Sequence, residues 1–150
     1  MKSFKFLLAF IAVGALLTYS GCSKSSGPGQ TPEDAQLVKL SKTWKCTAVT
    51  LNNTAQTGYT GFQLVISGTA GQTTFGFSTA GRPALSPWQA SGNFKYGTDF
   101  ATGLIRVEDT LPITYSVTDT QLQMTFNYTG AGIPGRVGNV QGTWIFTFGL

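Results

Sequence analysis

Chemistry in a protein needs groups that hold protons, electron pairs or metal ions at matched spacing, and this chain offers few. It contains no histidine. That removes the usual general base, the commonest metal ligand and every Ser-His or Cys-His nucleophile. Cys22 and Cys46 are the only thiols, and with them no recognisable four-ligand zinc set can be assembled. Carboxylates are the remaining option. Glu108 and Asp109 are adjacent, so on a strand they point to opposite faces and cannot flank one glycosidic bond. Asp99 and Asp119 fall in turn contexts, where Asp side chains bond local backbone amides. Lys45 beside Trp44, and Arg106 between Ile105 and Val107, either face a ligand as buried cations or, more simply, point to solvent. The expectation is a protein that is not an enzyme and carries no cofactor and no metal.

The clearer chemistry is at the start of the chain. Lys2 and Lys5 precede an apolar run from Phe6 to Leu17. That run suits an export leader and is too short to span a bilayer, which takes about 20 apolar residues. Ser20-Gly21-Cys22 then sets two small residues directly before a thiol. This arrangement resembles the bacterial lipobox, with Tyr19 where the pattern prefers an aliphatic residue. The resemblance implies diacylglycerol on the Cys22 sulfur, cleavage before it, and acylation of the new N-terminus with a fatty acid such as palmitate. The competing reading is an ordinary signal peptide with a cysteine nearby. One acyl chain anchors only reversibly, whereas two or three attach firmly. Residues 22–31 then read as a flexible tether to the membrane, polar and Gly/Ser/Pro-containing. If Cys22 is acylated, Cys46 has no partner and belongs in the core as a small hydrophobe; if Cys22 is free, a bridge between them stays open.

Ten basic residues face six acidic ones, a formal charge of +4. Without Lys2 and Lys5 of the leader, eight face six, leaving +2. The remaining cations are scattered, and nucleic-acid binding would want a denser basic patch. Abundant Gly, recurrent Thr and Phe, and few charges suit short strands joined by turns. The 150 residues divide into a leader at 1–21, the tether at 22–31 and one domain at 32–150.

The elements that would position any site follow from periodicity. Thr31 can cap a short helix, Pro32 suits its first position, and Glu33 and Asp34 favour the positive end of its dipole. Leu37, Val38 and Leu40 are expected to pack against the sheet. After Ser41 the apolar period changes to two. Eight strands are expected near 43–51, 61–67, 72–78, 88–96, 103–108, 112–118, 121–128 and 140–148. In the seventh, Leu122, Met124, Phe126 and Tyr128 share one face and Gln121, Gln123, Thr125 and Asn127 the other. One dry and one wet face predict an all-β, antiparallel, eight-stranded meander barrel, with a two-sheet β-sandwich as the alternative. A membrane-spanning barrel would need strands of about 9–11 residues, longer than several of these.

Leu40-Ser41-Lys42-Thr43-Trp44, Trp88 with Ser91-Gly92-Asn93-Phe94, Ile113 to Leu122, and Gly142-Thr143-Trp144-Ile145-Phe146 resemble the lipocalin-like lipoproteins of Bacteroidota. The resemblance covers roughly 37–150 and implies a lipocalin-like fold more than an activity. Lipocalins open on Gly-x-Trp and pack a later basic residue on that Trp; here Lys42 replaces the Gly and the chain stops at Gly149-Leu150 without that residue. Surface-exposed lipoproteins of such bacteria resemble a pattern with acidic residues soon after the lipidated cysteine. Ser23-Lys24-Ser25-Ser26 has none, which points to a cell-envelope anchor in the outer membrane, facing the periplasm.

Trp44, Phe62, Phe75, Phe77, Trp88, Phe94, Phe126 and Trp144 all fall on expected strands. They either line an apolar cavity for a small hydrophobic ligand or fill the barrel completely, and bulky side chains readily close an eight-stranded interior. Two functions follow: a lipid-anchored binding module with a small apolar ligand, rimmed by loops at 54–60, 79–87 and 129–139, or a non-catalytic structural lipoprotein that docks on another envelope protein.

Overall fold

The computed structural model describes residues 29–130 and 140–150. The leader, Cys22, most of the tether and most of the 129–139 loop lie outside the described residues.

Helix α1 runs from Pro32 to Leu40. Its start is a reciprocal cap: the Asp34 N–H donates to Thr31 Oγ1 (3.1 Å) and the Thr31 N–H donates to Asp34 Oδ2 (3.2 Å). The strands are β1 (Thr43–Leu51), β2 (Thr54–Ala55), β3 (Gln63–Ser67), β4 (Thr74–Ala80), β5 (Ser91–Tyr96), β6 (Gly103–Arg106), β7 (Leu111–Val117), β8 (Gln121–Tyr128) and β9 (Gly142–Gly149). From β3 onward each pairs antiparallel with its successor, β1 pairs with β3, and β9 returns to β1. The result is a closed, eight-stranded, lipocalin-like meander, so the sandwich alternative falls. Strand β2 pairs only with β1, outside the ring.

Strands β1 and β8 have the bounds that the alternation predicts. Others shift. β5 starts at Ser91 instead of 88, because Ser86, Pro87 and Trp88 are buried within a loop. β6 ends at Arg106, so Glu108 and Asp109 occupy a turn rather than adjacent strand positions. The extra strand β2 forms because Asn52 and Asn53 both take positive φ (49° and 65°), the left-handed pair that folds a two-residue hairpin. Asn52 also accepts from the Thr143 N–H (2.9 Å) and so fastens that hairpin to β9.

A bulge interrupts β1 between Cys46 and Ala48. The extra residue resets the alternation, so that Cys46, opposite Phe148, and Val49, opposite Phe146, lie on the same inner face. The meander gives the barrel two unlike ends. At one, α1 lies over the short turns 68–73, 97–102 and 118–120; this is the helix end. At the other, the connections 52–62, 81–90 and 107–110 gather, where β8 ends and β9 begins; this is the loop end.

Helix α1 is fastened by bonds to two turns and two strands. Asp34 Oδ1 accepts from the Gly71 N–H (2.6 Å), Gln36 Nε2 donates to the Ala101 carbonyl (3.3 Å) and Tyr115 Oη (3.1 Å), and Tyr96 Oη donates to the Glu33 carbonyl (3.0 Å). Leu37 and Leu40 enter the core beneath it.

Candidate functional site

The inner faces converge on one aromatic cluster, and Trp88 sits at its centre. Its ring lies 5.6–6.3 Å from those of Phe62, Phe77, Phe94, Phe126 and Phe146. Phe77 stacks on Phe94 at 4.5 Å, Phe75 meets Phe94 edge-on, and Trp144 stacks on Phe146. Offset and edge-to-face contacts at these spacings are the favourable aromatic arrangements. Seven of the eight aromatic residues singled out from the sequence therefore join one network. The eighth, Trp44, is separate: it sits under the helix end, its Nε1 donating to the Leu40 carbonyl (2.8 Å) and Lys42 Nζ standing 5.6 Å from its ring. All eight are buried. The position of Trp88 is set from the 81–90 loop, where Ser86 Oγ accepts from its N–H (3.2 Å) and Arg82 Nη1 donates to its carbonyl (2.8 Å).

One charge lies inside this cluster. Arg106 is wholly buried, which corrects the expectation that it points to solvent. Its Nε and Nη2 donate to the two Asp109 oxygens at 2.9 and 2.5 Å, and its Nη1 donates to the Pro87 carbonyl at 2.9 Å. The guanidinium also faces the rings of Trp88, Phe126 and Tyr128 at 5.8–6.0 Å. Such a cation is tolerable in a dry interior only because the carboxylate pairs it on both oxygens. The sequence carried the signal: Arg106 is two residues beyond the inward Leu104 and three before Asp109. Lys45, by contrast, is exposed as expected.

Neither carboxylate of the 107–110 turn is placed for general acid or base work. Asp109 is committed to Arg106, and Glu108 accepts from the Asn93 N–H and Nδ2 (2.7 and 3.0 Å). Asp99 accepts from Ala101 and Thr102 within its own turn. Cys46 lies half-buried in the wall of a groove of about 430 Å³ between β1 and the 56–61 segment. Burial pushes its thiol up to about 11, so little thiolate is present at neutral pH. Burial likewise raises Tyr115 to about 12. No group of three or more Cys, Asp or Glu among the described residues could hold a metal ion, and no helix among them is long and apolar enough to cross a membrane.

No family model, no curated protein and no solved structure matches this chain. The site therefore has to be read from its own geometry. Two indoles in the barrel donate to a carbonyl four residues upstream: Trp44 to Leu40, and Trp144 to Val140 (2.7 Å). The third, Trp88, has no acceptor for its buried Nε1 among the described residues. Sequence reasoning found all three rings but had no means of seeing this difference, which depends on the three-dimensional course of the 81–90 loop.

Proposed function

We propose that the protein is a lipid-anchored, non-catalytic cell-envelope module whose barrel is a filled scaffold presenting the loop end to a protein partner. The observation that carries this reading is the Trp88 ring packed among five others over a neutralised Arg106. An interior occupied in this way offers binding surface at its loops and outer wall. The order of the chain adds a direction. The tether leads into α1, so a lipid on Cys22 sits beyond the helix end and the loop end faces away from the membrane. Leu85 (55% exposed) and Val107 (39%) place large apolar side chains on that distal end. Membership of the lipocalin-like lipoproteins draws support from the barrel and from Lys42, which supplies the basic residue over Trp44. An outer-membrane anchor facing the periplasm rests on the leader and the non-acidic tether.

A small apolar ligand is the second reading, and one atom favours it. An indole N–H buried without an acceptor is costly, and a ligand with a polar oxygen at Trp88 would relieve that cost. Native mass spectrometry of the protein from its host's membranes, beside a soluble Cys22→Ala form, separates these readings. The expected result is an acylated mass for the intact chain and a bare polypeptide for the control. A reproducible small-molecule adduct on the control would replace the scaffold reading with the ligand reading. An unmodified Cys22 would remove the lipid anchor.

A further inference from the structure

Helix α1 has one committed side and one open side. Asp34, Leu37 and Leu40 face the barrel; Ala35, Val38 and Lys39 are exposed. Val38 is 60% exposed, the most exposed large apolar side chain among the described residues, which corrects the expectation that it packs on the sheet with Leu37 and Leu40. A β-branched residue on the solvent side of a nine-residue helix weakens that helix slightly. The bonds to Gly71, Ala101 and Tyr115 hold α1 across the barrel mouth, so its open side is the outermost surface of that end. Charges on α1 are mixed: Glu33 in its first turn and Lys39 in its last are both exposed, while the Asp34 carboxylate is turned inward to the Gly71 N–H.

The lipid-bearing position is close by in the chain. Nine residue steps separate Cys22 from Thr31, about 30 Å if fully extended and about 15–18 Å as a Gly/Ser-type coil. A bilayer held that near meets α1 at an effective concentration of roughly millimolar, so a contact too weak to form in free solution becomes populated.

We propose that the open side of α1, centred on Val38 and Lys39, seats the barrel on the surface of the membrane that holds the Cys22 lipid. Val38 inserts at the headgroup boundary, and Lys39 lays its methylenes along it with the ammonium among the phosphates. The inference rests on lipidation of Cys22 and adds an orientation to it: the barrel stands on its helix end instead of tumbling on its tether.

The test uses the lipidated protein in vesicles of phosphatidylethanolamine and phosphatidylglycerol, in a Cys46→Ala background. A fluorophore is placed at Ala35→Cys or, separately, at Leu85→Cys, and brominated lipid serves as quencher. Quenching at 35 without quenching at 85 is expected, and Val38→Asp should abolish it while the protein still floats with the vesicles. Equal quenching at both positions, with flotation intact, overturns the seating and leaves the anchor standing. Protection of position 35 in the soluble Cys22→Ala form, with neither detergent nor vesicles, shows a second copy of the chain covering α1 and also overturns it. Failure to float removes the anchor and the seating together. Thermal unfolding of the Val38→Asp form should match the parent, which separates lost contact from lost fold.

Discussion

The two ends of the barrel are closed by different physics. The helix end is shut by an element laid over it, with Leu37 and Leu40 buried and four side-chain hydrogen bonds along its flank. The loop end is shut from within, by a tryptophan carried on a long connection and an ion pair under the rings. Apolar closure tolerates substitution in proportion to volume lost. Closure by a buried charge depends on one partner, and losing it strands the other.

That contrast can be broken most sharply at the loop end. Asp109→Leu should cost about 3–5 kcal/mol by leaving Arg106 buried and unpaired, and adding Arg106→Met should restore most of it. Urea unfolding of the single and double forms decides this; a single substitution within error of the parent would mean that the pair contributes nothing. At the helix end Leu40→Ala should cost about 2–5 kcal/mol through lost burial and a cavity, with no second substitution of charge able to rescue it.

Glycines offer a smaller, paired comparison. A Cβ at Gly68 would come within 2.8 Å of Phe75 Cβ and 2.9 Å of Leu37 Cδ1, so Gly68→Ala should press α1 outward at about 1–3 kcal/mol. Gly81 has φ +66° and packs on the Gly61 carbonyl, so Gly81→Ala should displace the 81–90 loop. Hydrogen exchange should report the first as faster opening around α1 and the second as faster opening around Trp88.

The smallest effect is at the helix cap, where Thr31→Ala should cost about 1 kcal/mol. The same corner sets a pH dependence. The N–H groups of Gly71 and Thr31 hold the Asp34 carboxyl below the usual range. Its contribution is therefore fully present above about pH 3.9, the ordinary Asp value, and is lost as pH falls through the lowered folded value. The stability gap between the parent and Asp34→Asn should close in acid; a gap that widens would contradict the assigned cause.

Period-two patterning made most of the barrel legible, most clearly in β8, where every second residue is apolar. It failed where burial and strand did not coincide. Trp88 looked like the start of a strand because it is apolar and near Phe94, yet it is buried from a loop. Arg106 looked solvated because arginine usually is, and only the position of Asp109 and the Pro87 carbonyl in space makes its burial tolerable. Strand β2, two residues long, is too short for any alternation to reveal it. The burial of the eight aromatic residues was legible from their expected strand positions; that Trp44 stands apart from the other seven depends on the ends of the barrel, which no single strand encodes.

The seam between β1 and β9 bears on how the molecule is made. It pairs Lys45 with Gly149, which closes a loop of about a hundred residues at a substantial entropic cost. Until the final strand arrives, β1 and β8 each keep a bare edge, and such edges invite wrong partners. Folding of this kind is slow, because distant pairings come late. A ring whose last strand completes its first cannot close until β9 is available to β1, so closure is among the late steps of folding.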